Sequence, residues 1–266
     1  VSTVGLFVHP GRADALALAA TVRTWLADRG HQVIEGPDDD GARLDLVIAI
    51  GGDGTVLRSA RRAAATDADV LGINLGELGY LAEVERDAWE EALTAYFGGQ
   101  HRTEERLLVQ ARLGDGTLLP PALNEVVIEK QALGRTIRMA VAIDGGYFTS
   151  YVADGLIVAT PTGSTAYSLS ARGPIVDPSH RALIMTAVSP HSLFDRSLVL
   201  GPSSVVEVTV KGDRDAAISI DGQQHGLIAV GETLTISAAP EPARFATFGG
   251  RDFHQILKAK FGLSDR

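Results

Sequence analysis

An aspartate set among glycines, Gly51-Gly52-Asp53-Gly54-Thr55, is where this sequence first offers chemistry. The run before it, Leu44-Asp45-Leu46-Val47-Ile48-Ala49-Ile50, is short and apolar, the pattern of a buried parallel strand. A helical pattern starts at about Thr55. Strand, glycine turn and helix N-terminus together aim backbone N–H groups at one point, where an anion such as phosphate can sit. A carboxylate beside such a cradle repels the ligand unless it has a chemical task. It can orient or deprotonate an attacking hydroxyl, or help to hold a metal. The stretch has neither the Gly-Lys-Ser/Thr ending of a P-loop nor the G-x-G-x-x-G dinucleotide fingerprint. Gly51, Gly52, Gly54 and Thr55 are therefore candidate phosphate-binding residues, and Asp53 is the candidate catalytic one.

Other Asp-Gly pairs are decoys to be weighed: Asp115-Gly116, Asp144-Gly145, Asp154-Gly155 and Asp221-Gly222. Between two β-like runs such a pair is a hairpin turn far more often than a site. Leu113-Gly114-Asp115-Gly116-Thr117 copies the first motif but lies between strand patterns, so it reads as a turn, as does Asp144-Gly145-Gly146. Gly51 to Thr55 differs because a strand precedes it and a helix follows.

The richest stretch after Asp53 runs over 154–174 and contains Thr160-Pro161-Thr162-Gly163-Ser164-Thr165-Ala166-Tyr167-Ser168-Leu169-Ser170. Hydroxyls and small residues are packed here between an apolar strand and a short helix. Small side chains let a ligand approach the backbone, and hydroxyls donate to and accept from a polar ring or ribose. A Thr/Ser-rich turn with an N-cap accounts for the same residues equally well.

These motifs need elements to position them. Residues 4–8, 32–34, 44–50 and 70–74 read as strands, alternating with helices over 13–29, 55–65 and 86–97. The first helix has Leu16, Ala19, Ala20, Val22 and Leu26 on one side and Gly30 as its stop. Such alternation predicts a parallel sheet with helices on its faces and ligands at the carboxyl ends of the strands. From about His101 the rhythm changes. Residues 109–113, 125–129, 136–144, 147–152, 156–160, 205–211, 216–220 and 233–238 are β-like runs between Gly, Asp and Pro turns, as in a sandwich or other stacked antiparallel sheets. Residues 252–261 look helical and are expected to return to the first domain. The fold class is thus α/β followed by β, divided as 1–100 with 240–266, and 101–239.

Composition narrows the function. The chain has 266 residues, enough for one large domain or two modest ones. No charge-free apolar run approaches the ~18 residues of a membrane span, and the opening residues form a strand pattern without the basic n-region of a signal peptide. Zero cysteines exclude disulfides and Cys-ligated metals and fit a cytoplasmic protein. A formal net charge of −9 argues against bulk attraction to nucleic acid or anionic membrane. An anionic substrate would be held by local amides and a few cations. The histidines are scattered without metal-ligand spacing, and His191, after Pro190, reads as a turn or core residue more readily than as a ligand contact.

With Leu123-Asn124-Glu125-Val126-Val127 between the two constellations, the chain resembles the bacterial NAD kinases. The resemblance spans nearly the whole length. It rests on Gly51 to Thr55, Gly72-Ile73-Asn74-Leu75-Gly76 with Leu78-Gly79-Tyr80-Leu81, Asn124-Glu125, the 154–174 segment, Pro190-His191-Ser192-Leu193 and Ile220-Asp221-Gly222-Gln223. The glycine element by itself is shared with lipid kinases and phosphofructokinases; the segment from Thr160 to Tyr167 is far more specific. The resemblance implies transfer of the γ-phosphoryl of ATP, or of inorganic polyphosphate in some members, to the 2′-hydroxyl of NAD's adenosine ribose. It also implies Mg²⁺ or another divalent cation as helper, NAD between the two domains, and a homodimer or homotetramer.

By the same resemblance Asp53 activates the ribose hydroxyl. Asn124 and Glu125 hold the adenosine half; Gly54, Asp154, Thr162, Thr165, Ala166, Tyr167 and Ser170 line the NAD pocket, with Tyr167 reaching across a subunit boundary; and Tyr80 lies near the adenine. Asp221 and Gln223 are lifted from a plain hairpin towards the site, and no metal ligand is assigned to a side chain. Two positions depart from the family. Arg172 stands where a second glycine is more usual, so it is strained if φ is positive there and otherwise adds a cation near a phosphate site. Val152 falls where some members carry an arginine linked to preferring NAD over NADH. Two other readings are a lipid kinase of the diacylglycerol or sphingosine type, and a dinucleotide-sensing module without catalysis. The first lacks a basic amphipathic helix for lipid, and the second is hard to square with an intact Asp53 loop.

Overall fold

The computed structural model describes residues 1–35, 42–76, 79–132, 134–250 and 252–263, so Leu78 lies outside the described residues. Two compact units are present: Val1–Glu105 with Ala243–Arg266, and Arg106–Pro242.

The first unit alternates as β1 (Thr3–Val8), α1 (Ala13–Asp28), β2 (Gln32–Glu35), β3 (Leu46–Gly51), α2 (Asp53–Ala64), β4 (Asp69–Asn74), β5 (Val84–Glu85), α3 (Trp89–Phe97) and β6 (Arg102–Arg106). A single 3-10 turn, Arg86–Ala88, leads into α3. All six residues of β3 and all six of β4 are buried, as strands covered on both faces must be. In α1 the buried residues are Ala15, Leu18, Ala19, Val22, Trp25 and Leu26, whereas Leu16 and Ala20 are exposed. The expected apolar face was therefore rotated. Trp25 decides the true one by packing edge-on against Trp89 and stacked on Phe97, with ring centroids 6.1 and 6.3 Å away. Helix α2 starts two residues earlier than its sequence pattern suggests and takes Asp53 and Gly54 into its first turn.

The second unit contains β7 (Val109–Arg112), β8 (Glu125–Glu129), β9 (Ile137–Ile143), β10 (Gly146–Ala153), β11 (Gly155–Ala159), α4 (Tyr167–Ser170), β12 (Leu183–Val188), β13 (Leu198–Leu200), β14 (Val206–Lys211), β15 (Ala216–Ile220), β16 (Gln223–Ile228) and β17 (Thr233–Ala238). Its strands form an antiparallel five-stranded sheet, β10-β9-β14-β17-β7, and an antiparallel six-stranded one, β13-β12-β11-β8-β15-β16. Val141, Val208 and Ile236 of the first share one core with Val126, Val158 and Ile218 of the second, which makes the unit a sandwich. The other face of the six-stranded sheet carries a smaller core of Val127, Ile157, Ala159 and Ile184.

The chain then returns to the first unit as β18 (Ala243–Thr247) and α5 (Phe253–Lys260). Strand β18 lies parallel to β4 and separates it from β6, giving a seven-stranded sheet in the order β2-β1-β3-β4-β18-β6, with β5 also on β4. Strands β5, β6, β12, β13, β16 and β18 lie outside the expected runs, although β12, Leu-Ile-Met-Thr-Ala-Val, is itself a short apolar run. The Asp115-Gly116 and Asp144-Gly145 turns are hairpin turns as expected, with Gly116, Asp144 and Gly145 at positive φ.

Candidate active site

In the first unit, β3 delivers the chain to Gly51, where a Cβ would press on Thr55 Oγ1 at 2.5 Å and on His9 Cβ at 3.3 Å. Glycine is needed there for packing. At Gly52 and Gly54 an added Cβ would meet nothing within 4 Å, so the backbone of the α2 N-terminus is open to an approaching ligand. Within this first turn the Thr55 N–H already donates to the Gly52 carbonyl at 2.9 Å, so the anion site falls to the amides before it, beside which the helix dipole favours negative charge.

Asp53 opens that turn, and both of its carboxylate oxygens are gripped. Oδ2 accepts the Tyr80 N–H at 3.0 Å and Oδ1 accepts the Leu81 N–H at 3.1 Å. Gly79 lies so close that a Cβ there would overlap Oδ1. The carboxylate is thus aimed by backbone, with further lone pairs left for a hydroxyl proton. The Tyr80 ring sits 6.3 Å from that of Phe253 and 4.9 Å from Lys260 Nζ, both on α5, and its phenol is pushed up by burial and by Asp53.

Two cations missed by sequence reasoning lie in the same unit, one against the chain after β4 and one on α2. Arg12 donates to the Leu75 carbonyl and to Asp14, each at 2.6 Å, and an added Cβ at Gly76 would stand 3.3 Å from its Nη1. Arg58 reaches Thr55 Oγ1 at 3.5 Å. Arginine at i+5 from Asp53 was the legible signal for the second; the first lies far off in sequence.

In the second unit the cluster is built around Asn124 and Glu125, at the start of β8. The Asp221 carboxylate accepts the N–H groups of Leu123, Asn124 and Glu125 at 3.0, 2.8 and 3.3 Å, and the Asp221 N–H returns to the Glu125 carbonyl at 3.1 Å. Asp221 and Gly222 have φ of 46° and 74°, so this pair is indeed a hairpin tip, yet its side chain splints the pocket. Gln223 follows as the first residue of β16 and is exposed.

The hydroxyl-rich segment packs straight onto this stretch. Thr160 donates its N–H to the Asn124 carbonyl at 2.8 Å and its hydroxyl to Leu123 at 2.5 Å. Gly163 lies so near that a Cβ would run into the Asn124 backbone. Thr162 to Thr165 form a 3-10 turn in which Thr165 Oγ1 donates to the Thr162 carbonyl at 3.3 Å. Ala166 is half-buried, and Tyr167 is 39% exposed at the start of α4.

Glu125 is 5% exposed and its Oε2 is buried without a partner. Burial, reinforced by Asp221 and opposed by the Tyr167 N–H, pushes its carboxyl up to about 8. Near neutrality the folded group therefore favours the protonated acid, able to donate as well as accept. The Tyr167 phenol is also raised, by burial and then by Glu129, Asp154 and Glu125, with Lys130 opposing.

Asp154 joins β10 to β11, and Lys130 Nζ bonds its Oδ1 at 2.6 Å. Val152 is half-buried and accepts the His191 N–H at 2.7 Å, while His191 itself lies in an exposed turn. These two form a pair of their own, without a described bond to the Glu125 cluster. Ser170 is the exposed last residue of α4. Arg172 has φ 67°; its N–H donates to the Leu169 carbonyl at 3.0 Å and the Gly173 N–H to Ser168 at 2.7 Å. This is a Schellman C-cap with arginine in the position that favours glycine, so of the two expectations for Arg172 the strained one holds. Among the described residues no group of three or more His, Asp or Glu side chains converges as a metal site.

A glycine turn carrying a clamped aspartate on a parallel sheet, followed by a β-sandwich with its own polar cluster, defines a two-part kinase. The chain belongs to the ATP-NAD kinase family: the N-terminal domain model of that family matches residues 35–101 and the C-terminal domain model residues 123–248. NAD kinase 1 of Streptomyces coelicolor is 38% identical over 315 residues, covering 100% of this chain and 87% of that protein. The NAD kinase of Heliobacterium modesticaldum is 39% identical, with 97% and 98% covered. Among solved structures, yeast NADH kinase complexed with NADH shares the fold with a TM-score of 0.88, at 24% identity, covering 100% of this chain and 89% of that one. An Archaeoglobus fulgidus NAD kinase in complex with ATP gives 0.76 at 23% identity, with 98% of each covered.

Proposed function

We propose that this enzyme transfers the γ-phosphoryl group of ATP to the 2′-hydroxyl of the adenosine ribose of NAD, giving NADP. Family membership supports the reaction, and the observation that carries its mechanism is the Asp53 clamp. Held by the Tyr80 and Leu81 amides, the carboxylate orients the ribose hydroxyl and accepts its proton as the oxygen attacks the γ-phosphorus. The bond from that phosphorus to the β,γ-bridging oxygen breaks, and ADP leaves. Positioning and electrostatics are what phosphoryl transfer asks of a protein. The open amides at the α2 N-terminus and the nearby Arg12 and Arg58 suit the donor's phosphates.

Asn124, the buried Glu125, Asp154 and the hydroxyls of Thr162 and Thr165 suit the dinucleotide, whose amide and hydroxyl groups need donors and acceptors in fixed directions. Tyr80, Gly54, Ala166, Tyr167 and Ser170 belong to the same reading. Mg²⁺ would neutralise charge on the donor's phosphates. It is commonly held by one or two carboxylates plus those phosphates rather than by an all-protein cage; with Asp53 given to the ribose hydroxyl, the donor's phosphates would be its main ligands. The exposed pair Phe148 and Phe194, with ring centroids 5.9 Å apart, supports assembly as a homodimer or homotetramer. A cysteine-free chain suits the reducing cytoplasm. Incubation with NAD, ATP and Mg²⁺ tests the reading: NADP should accumulate, and its absence under conditions where the protein is folded would overturn it.

A further inference from the structure

Three carboxyl groups, Glu125, Glu129 and Asp154, act on the Tyr167 hydroxyl, and the cation that offsets them is Lys130. Lys130 directly follows β8 and is tied to Asp154 twice: its N–H donates to the Asp154 carbonyl at 2.9 Å and its Nζ to Oδ1 at 2.6 Å. The Asp154 N–H in turn donates to the Val188 carbonyl at 2.9 Å. The two side chains are 26% and 34% exposed, so the pair is half-sheltered from solvent.

We infer that Lys130 is a positioning residue for the dinucleotide. By holding Oδ1 it leaves Oδ2 of Asp154 as an acceptor of fixed direction for a ligand hydroxyl, and it balances an acidic pocket that must admit a ligand bearing phosphates. The inference rests on the reading of Asp154 as a dinucleotide contact. Lysine suits the task because a compact ammonium can hold one oxygen, where a guanidinium tends to take both. Without it, the Asp154 and Glu129 carboxylates would be left without an offsetting cation and Asp154 would be free to turn.

The test uses the full chain as wild type, Lys130→Met, Lys130→Gln, Lys130→Arg, Asp154→Asn and the Lys130→Met/Asp154→Asn double variant. NAD is varied at saturating ATP–Mg²⁺, then ATP at saturating NAD, with melting temperatures alongside. Loss of a charge-assisted bond at a half-exposed site should raise KM for NAD about tenfold in Lys130→Met and somewhat less in Lys130→Gln. The value of kcat and KM for ATP should stay within about twofold, whereas Lys130→Arg, which keeps the charge but can take both Asp154 oxygens, should also raise KM for NAD, by about threefold or more. In the Asp154→Asn background the Lys130→Met effect should shrink to about threefold or less. An unchanged KM for NAD in both Met and Gln variants, an equal shift in kcat or in KM for ATP, or an undiminished effect on Asp154→Asn would overturn the inference; Gln keeps it testable if Met does not fold. Calorimetric NAD binding gives the same comparison without turnover, so a wild type that binds NAD but forms no NADP would refute the proposed reaction and leave the Lys130 assignment to be judged by binding.

Discussion

Asp53→Asn exchanges one acceptor oxygen for an NH₂ group at a point where two backbone N–H groups converge. Both oxygens now accept, from Tyr80 at 3.0 Å and from Leu81 at 3.1 Å. In the variant one amide keeps its acceptor and the other faces a donor. A buried donor left without a partner costs about 1–3 kcal/mol, and because Asp53 is half-buried, with water reaching part of it, the low end of about 1 kcal/mol applies. Loss of the general base costs about 10²–10⁴-fold in rate, or ~3–5 kcal/mol of barrier. The chemical effect should therefore exceed the structural one severalfold. Steady-state NADP formation, read with an NADP-specific dehydrogenase, should show kcat reduced by at least about a hundredfold. A melting scan on the same sample should show a drop of a few degrees, on the order of 2–4 °C per kcal/mol. A variant keeping more than half the wild-type kcat would remove Asp53 from the chemistry. A full loss of kcat with no change in melting temperature would refute the two-amide clamp.

Glu125 predicts a pH dependence of stability. Its carboxyl is raised from 4.5 to about 8 in the folded chain, so its stabilising contribution is present below about 4.5 and lost as pH rises through about 8. Across that window the advantage of Glu125→Gln over wild type should grow by about 1.4 kcal/mol per pH unit, seen as diverging melting temperatures; parallel curves would show that the group titrates normally. Arg172→Gly relieves a left-handed backbone costing about 1–2 kcal/mol, against glycine's own entropic cost of about 0.5–1, so a gain of roughly 0.5–1 kcal/mol in denaturant unfolding is expected. A loss would mean that the arginine side chain contributes more than its backbone costs. Val152 places no charge beside its β10 neighbours, and a cationic nicotinamide should be weakly told from a neutral one there: kcat/KM for NAD and NADH should lie within about tenfold. Val152→Arg should change that ratio, and an unchanged ratio would place selectivity elsewhere.

Much of the first unit is legible because burial on both faces writes itself as an unbroken apolar run, as in β3 and β4. The turn after β3 stands out for the same reason, and Asp53 with it. The start of α2 is less legible: Gly52 and Gly54 are poor helix formers, and only the fold draws Asp53 into the first turn. Helix α1 misleads because it is rich in alanine and leucine on more than one side, so its buried face is chosen by the aromatic contacts of Trp25 rather than by the pattern. Strands β6 (Arg-Thr-Glu-Glu-Arg) and β16 (Gln-Gln-His-Gly-Leu-Ile) are polar and largely exposed, and no alternation marks them. The Asp221 splint crosses 96 to 98 residues of sequence, a pairing set by the register of β15 on β8 and invisible to local reading. Lys130 is a solitary lysine without motif spacing, and its partner emerges only when β8 and the β10–β11 junction are brought side by side.

The placement of β18 bears on how the chain is made. That strand comes near the C-terminal end, yet it sits inside the sheet of the first unit, between β4 and β6. During synthesis the first hundred residues emerge with the start of the β4 edge bare, β5 covering only its end, and with β6 lacking its neighbour, whereas residues 106–242 hold every strand of the sandwich. Since domains tend to fold as units as they emerge, the inserted sandwich is the first part able to finish, and the sheet that carries Asp53 closes last. A bare β4 edge is a template for unwanted strand pairing in the interval. A nascent or truncated chain ending before Ala243 would thus be at its most aggregation-prone with the sandwich already complete.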